Sequence, residues 1–252
     1  MQPRPRPRPP LPSATDAPDW VRETVRVTRD EIRRFVATAV GFMLRPARFG
    51  AAWAAGEGDA LNPLGFVATA LAITGAVAAL LDPGDDGGRL ALLVGHAILP
   101  YAYYAALGAL CHPVLRAFGS TRPLRASVAV GLYAGGGPGL LLLLVSAACQ
   151  VLRAHLFGLH DGPILRGAPL WGEIAFGVLV GGATLWFFVA LVGGQRGVHA
   201  IGRGRAGLAV LFAVVASGIA LGVAHHYVPF SMGAPHFALS FYKHLPVPDV
   251  WF

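Results

Sequence analysis

Charge is scarce in this sequence. Of its 252 residues 13% are charged, about half the usual share in a soluble domain. Lysine is nearly absent: Lys243 stands alone against nineteen arginines. The two cysteines, Cys111 and Cys149, form no framework of spacings. No P-loop, G-x-S-x-G, CxxC or HExxH motif occurs, and no pair of acids falls inside an apolar run. These absences weigh against an enzyme and against an ion-coupled transporter. No secretory signal peptide is visible, because the first long apolar run follows about sixty residues of tail.

Apolar residues, by contrast, are abundant. Hydrophobic residues make up 55% of the chain, alongside 33 glycines and 20 prolines. The mean hydropathy is +0.57. Such a composition excludes a disordered chain and argues against an ordinary cytosolic enzyme. It predicts an integral membrane protein, in which glycine and proline are commoner than in soluble helices.

Residues 1–18 alternate proline with Arg4, Arg6 and Arg8, predicting an extended, solvated tail. That tail is either a polybasic arm for anionic lipid or a disordered segment that reinforces topology. Residues 19–62 predict amphipathic interfacial helices. Val21, Val25, Ile32, Phe35, Val36, Ala39, Val40 and Met43 recur at helical spacing opposite Arg22, Arg26, Arg29, Asp30, Arg33 and Arg34. Pro46 interrupts, and a short second helix carrying Phe49 and Trp53 ends at Gly56-Glu57-Gly58-Asp59. Lying on a membrane surface and packing against the bundle both suit this pair.

Five apolar segments fill 63–228: Leu64–Leu81, Leu90–Leu110, Ser127–Leu152, Ile174–Val192 and Ala206–Ala224. Each has the roughly 20 residues that a bilayer core requires, and in lipid each must be helical. The aromatic, proline-rich stretch 229–252 is expected at the outer interface. The tail before the first segment and the loops 111–126 and 193–205 carry 16 of the 20 basic residues. The positive-inside rule then places the N-terminus in the cytoplasm and the C-terminus outside. The net charge of +7 is thus a topological bias, and nucleic acid is not an expected partner. Cys111 and Cys149 fall at opposite membrane faces, too far apart to pair.

Several polar and kinked positions are candidates for function. His96 lies inside the second segment, and Pro100 removes the helical bond to its carbonyl. Tyr101, Tyr103 and Tyr104 follow. An ionisable residue inside a span is a functional candidate, and a neutral imidazole bonded between helices is the plainer reading. Gly135-Gly136-Gly137-Pro138-Gly139 suits either a broken helix lining a site or a close helix approach. The pairs Gly131/Gly135, Gly177/Gly181 and Gly218/Gly222 have the spacing of close packing. On the outer side, His155, His160, His225, His226, His236 and His244 accompany Gln150, Arg153, Asp161 and Glu173. That grouping could hold a metal or sense pH, but it lacks a ligand spacing, and adjacent His225 and His226 diverge on a helix. No catalytic, cofactor-binding or metal residues are assigned.

The stretch from Leu44-Arg-Pro-Ala-Arg-Phe-Gly to Ala60-Leu-Asn-Pro-Leu resembles the entry of YIP-type membrane proteins, the Rab/Ypt-interacting-like family. The stretch from His112 through Arg116-Ala-Phe-Gly-Ser to Tyr133 and Pro138 resembles that family's loop and its following helix. Together they cover about residues 40–150. The resemblance implies a five-helix bundle with no catalytic residues. Eukaryotic members act with Rab/Ypt GTPases in vesicle traffic, and bacterial members are mostly of unknown function.

The expectation is therefore an all-α integral membrane bundle of five transmembrane helices with N-terminal amphipathic interfacial helices. Arginine over lysine, with abundant Ala, Gly and Pro, suggests a GC-rich bacterial genome, so the expected membrane is a bacterial inner membrane. The expected role is a scaffold or assembly factor with the lipid bilayer as its partner, joined by other membrane proteins or a second copy, and without cofactor. The rivals are a small-solute or lipid transporter using Gly135–Gly139 and His96, and an outer-face metalloenzyme.

Overall fold

The computed structural model describes residues 19–57, 59–81, 98–157 and 170–227, and all its described regular elements are helical. Helix α1 spans Asp19–Leu44. It stops because Arg45 precedes Pro46, and a residue before proline is pushed away from helical geometry; Arg45 has φ −140° and ψ 59°. Helix α2, Pro46–Ala55, starts with that proline in its first turn, where a missing N–H is harmless. It ends at Gly56, whose φ of 76° is left-handed. Helix α3, Pro63–Leu81, is capped by Asn62, whose Oδ1 accepts the Gly65 N–H at 2.7 Å.

The remaining helices are α4 (Leu99–Ala117), α5 (Leu124–Ala134), α6 (Leu140–Phe157), α7 (Leu170–His199) and α8 (Arg203–Tyr227). A π-helical turn, Gly135–Gly139, joins α5 to α6. Gly135 and Leu140 at its ends keep right-handed helical angles, so this chain runs on as one helix. The wider turn accommodates Pro138, which has no N–H and whose ring would crowd the carbonyl four residues back. The segment is therefore not an interrupted helix.

Three described helices are long and apolar enough to cross a membrane: Leu124–Cys149, Ile174–His199 and Arg203–Ala220. The first is the centre of the bundle, with 72% of its window buried, against 28% for each of the others. On α8 the exposed residues Leu208, Leu211, Phe212, Val215 and Ile219 follow one helical face. So broad an apolar surface is at home in lipid, and the protein is membrane-embedded. Cys111 and Cys149 are both free and buried.

Tyr133 organises the core. Its ring lies 5.0 Å from Phe49, 5.4 Å from Phe66 and 6.0 Å from both Phe42 and Trp53. Its hydroxyl donates to the Leu61 carbonyl at 2.6 Å. Tyr133 thus ties α1, α2 and the start of α3 to the central helix. The apolar residues of α1 are not one stripe. Phe35, Ala39 and Phe42 are buried in the core, whereas Ile32, Val36, Val40 and Leu44 point outward, Leu44 being 68% exposed. Spacings of three and four are compatible with either of two adjoining faces, so periodicity merged them. Helix α2 lies against α7. A Cβ at Gly50 would fall 2.8 Å from the Gly194 carbonyl, and one at Gly197 would collide with that of Ala47.

Candidate functional site

The sequence-derived candidates scatter. His96 lies outside the described residues. Pro100 occupies the first turn of α4, half-buried. Gln150 and Arg153 fall on α6, Glu173 near the start of α7, and His225 and His226 near the end of α8. Tyr104, Gly136 and Pro138 do share a neighbourhood, and it is filled. A Cβ at Gly135 would collide with the Tyr104 ring, and one at Gly139 would sit 3.0 Å from its Cζ. At Gly136 a Cβ would fall 2.6 Å from Phe66 Cε1. These glycines make room for aromatic rings, which is a packing role. Gly131 does the same for α4, whose Tyr104 carbonyl occupies the place of its side chain. Gly177, Gly181 and Gly218 differ: among the described residues nothing stands within 4 Å of a Cβ at any of them.

A second grouping, which the sequence does not single out, lies at the start of the central helix. Helix α4 ends in a turn at Gly119, φ 91°, where the Ser120 N–H bonds to the Leu115 carbonyl at 3.0 Å. That turn aims Ser120 at His199, the last residue of α7. Ser120 Oγ meets His199 Nδ1 at 2.6 Å, and Ser127 Oγ meets His199 Nε2 at 2.9 Å. His112 Nδ1 lies 3.1 Å from the same Ser127 Oγ. Gln195, one turn before His199, donates from Nε2 to the Ser127 carbonyl at 3.3 Å. The Arg122 N–H reaches Ser120 Oγ at 3.3 Å, and its guanidinium donates to the Ala54 carbonyl of α2, also at 3.3 Å.

The hydrogens fit without conflict. Arg122 N–H donates to Ser120, whose hydroxyl donates to His199 Nδ1. His199 Nε2–H donates to Ser127, whose hydroxyl donates to His112 Nδ1. Both imidazoles are then neutral; in the reversed order the Ser120 hydroxyl hydrogen would lose its acceptor, because the Arg122 N–H can only donate, so this direction is the one that matches the described partners. Burial pushes the His112 imidazole below its ordinary value, and the neighbouring Arg116 charge pushes it the same way.

A serine hydroxyl between two imidazoles has the parts of an activated nucleophile. The surroundings deny it a substrate. Ser127 is 0% and Ser120 5% exposed, and the α4 backbone at Gly108 seals Ser127, where a Cβ would fall 2.5 Å from the Ser127 carbonyl. No described carboxylate orients either imidazole. What the group can do is join α4, the following turn, α5 and α7 through bonds worth most where water is excluded. One atom has no partner among the described residues: the buried Gln195 Oε1. Among those residues no group of three His, Cys, Asp or Glu side chains could hold a metal ion.

The sequence puts the loops 111–126 and 193–205, which hold His112 and His199, on the expected inner side, but it does not single out Ser120, Ser127 or Gln195. The available signal was uncharged polar residues at or near the ends of apolar segments, in a protein where such residues join helices.

The model of the Yip1 domain matches residues 40–224, extending well beyond the stretch on which the resemblance was seen. No curated protein and no solved structure matches.

Proposed function

Because the chain belongs to the Yip1 family, we propose that it is a non-catalytic scaffold or assembly factor with five spans, set in a bacterial inner membrane. The observation that supports this most is the filled middle of the bundle. Gly135–Gly139, the segment whose composition best suits a broken, cavity-lining helix, is occupied by Phe66 and Tyr104. The polar groups at the other end are spent on one another. The surfaces left for partners are outward: the open glycine face of α7, the apolar outer face of α1 and the arginine-rich loops.

The N-terminus is cytoplasmic in this reading and the C-terminus extracytoplasmic, from the bias of basic residues. The five spans comprise the three long helices, α3, and the segment Leu90–Leu110, of which residues 90–97 lie outside the described part. The tail 1–18, interfacial region 19–62, spanning domain 63–228 and outer segment 229–252 are the corresponding units. Rab/Ypt binding does not carry over to this chain. The transporter reading rests on Gly135–Gly139 and His96, and the metalloenzyme reading on the outer-side histidines; a His96→Ala protein with full function in vivo counts against both.

Purification of the full chain in mild detergent, with identification of co-purifying proteins, tests the scaffold role. Specific partners are expected, and recovery of none counts against it. Fusing alkaline phosphatase or green fluorescent protein to the C-terminus tests orientation: phosphatase activity with dark fluorescent protein is expected, and the reverse pattern inverts the topology.

A further inference from the structure

Four arginines from three elements converge on one groove. Arg45 and Arg48 come from the α1–α2 junction and α2, Arg196 from the last turn of α7, and Arg203 from the start of α8. The groove has a volume of about 580 Å³, and none of the described residues that line it is acidic. All four arginines are exposed, and no described carboxylate forms an ion pair with any of them. Like charges gathered without counter-charge repel one another unless an anion joins them. Helix α8 begins at Arg203, so the positive end of its macrodipole adds to the same field.

The rest of the lining is apolar. Pro46 and Gly193 form part of the floor, and Phe188, Val189 and Val192 form a wall along α7. One turn further into the span, Leu185 and Trp186 are exposed and continue that wall. Arginine mouth and apolar wall together match a molecule with an anionic head and a hydrocarbon tail. Guanidinium groups suit a phosphodiester, which they bind in a bidentate fashion.

We propose that this groove is a binding site for an anionic phospholipid, its phosphate held between Arg48 of α2 and Arg196 and Arg203 of the α7–α8 corner, with an acyl chain laid along Phe188, Val189 and Val192. The lipid thereby bridges α2 to the two outer helices. Its assignment to the cytoplasmic leaflet rests on the orientation proposed above; its chemistry does not, and binding in detergent solution is independent of topology.

The test is native mass spectrometry of the full-length protein in neutral detergent, titrated with long-chain phosphatidylglycerol or phosphatidylcholine. The wild type is expected to retain phosphatidylglycerol preferentially. Arg48→Gln with Arg196→Gln should weaken that binding roughly twenty-five-fold, from about fivefold per basic residue at an anionic surface. Arg29→Gln with Arg33→Gln, which removes equal charge from exposed positions on α1, should leave it unchanged. Val189→Trp keeps every charge and fills the wall, and should weaken the long-chain lipid while sparing glycerophosphate; it answers the question if the arginine pair fails to fold. Equal retention of the two lipids, or equal loss in the α1 control, overturns the site. Displacement of the lipid by inorganic phosphate at matched concentration makes it a soluble-anion site and overturns the lipid assignment.

Discussion

Gly131/Gly135 and Gly177/Gly181 share a spacing, and each pair lies in a long apolar helix, yet they meet opposite surroundings. At the first pair α4 presses in, so that side chains there would collide with Tyr104. At the second no described residue stands within 4 Å. Lipid tails accommodate an apolar surface as well as protein does, so helices in a bilayer associate through shape and hydrogen bonds. Glycine spacing therefore marks where a backbone can come close. Whether it does depends on the facing helix, and α4 supplies a matching flat surface in Gly108, which packs against Gly131 and the Ser127 carbonyl.

The sharpest way to break this contrast is to place one side chain at both kinds of glycine. Gly131→Leu would push against the Tyr104 carbonyl, which is backbone and cannot swing away. The expected loss is about 3–5 kcal/mol, or failure to accumulate in the membrane. Gly181→Leu adds apolar surface to an open face, and its expected change is within about 0.5 kcal/mol. Thermal unfolding in detergent, followed by size-exclusion chromatography, measures both. Equal loss at the two sites would mean that the α7 glycine face is occupied by another chain.

A second contrast separates the apolar middle from the polar end. Phe66, Tyr104 and Tyr133 hold the middle by shape, while the His199 end is held by directional bonds. His199→Ala removes the partner of two serine hydroxyls at once and leaves a cavity between α5 and α7. The loss should be about 1–3 kcal/mol, less than for Gly131→Leu, because hydrogen bonds between membrane helices are individually modest. His199→Gln, which can restore one bond, should recover part of it. A His199→Ala protein as stable as the wild type would remove the network from any account of stability.

The all-helical architecture and the apolar character of the helices were legible because periodicity and run length report burial in lipid directly. The family was legible from the stretches Leu44 to Leu64 and His112 to Pro138. The two faces of α1 were not, since Phe35 and Val36 are neighbours and only the facing Phe66 ring, 4.8 Å from Phe35, says which is inside. The polar network was not legible either. Ser120, Ser127, Gln195 and His199 are separately unremarkable, and they meet only because a turn at Gly119 and the end of α7 coincide in space. The same applies to the four groove arginines, which read in sequence as topology alone.

The next smaller effect isolates backbone from side chain at the network's edge. Ala200 follows His199 with φ 52°, in the left-handed region that costs an alanine about 1 kcal/mol relative to glycine. Ala200→Gly relieves that strain while leaving both bonds of His199 in place. Part of the gain is cancelled by the greater freedom of glycine in the unfolded chain. A net stabilisation of about 0.5 kcal/mol is expected in the same melting assay, and a destabilisation would show that the Ala200 methyl packs usefully.

The smallest expected effect falls on the least satisfied residue. Gln195 makes one long bond to the Ser127 carbonyl and buries an oxygen without a described partner. An unpaired buried acceptor costs about 1–3 kcal/mol, and a neutral bond of that length returns about 1 kcal/mol. Gln195→Met keeps nearly the same volume, removes the orphan oxygen and loses the weak bond, so the two changes oppose each other. The protein should melt at or slightly above the wild-type temperature, in contrast to His199→Ala one turn away. If Gln195→Met instead destabilises as strongly as His199→Ala, then Oε1 has a partner in the membrane, and a buried water or polar ligand would have to be added to the chain that runs from Arg122 to His112.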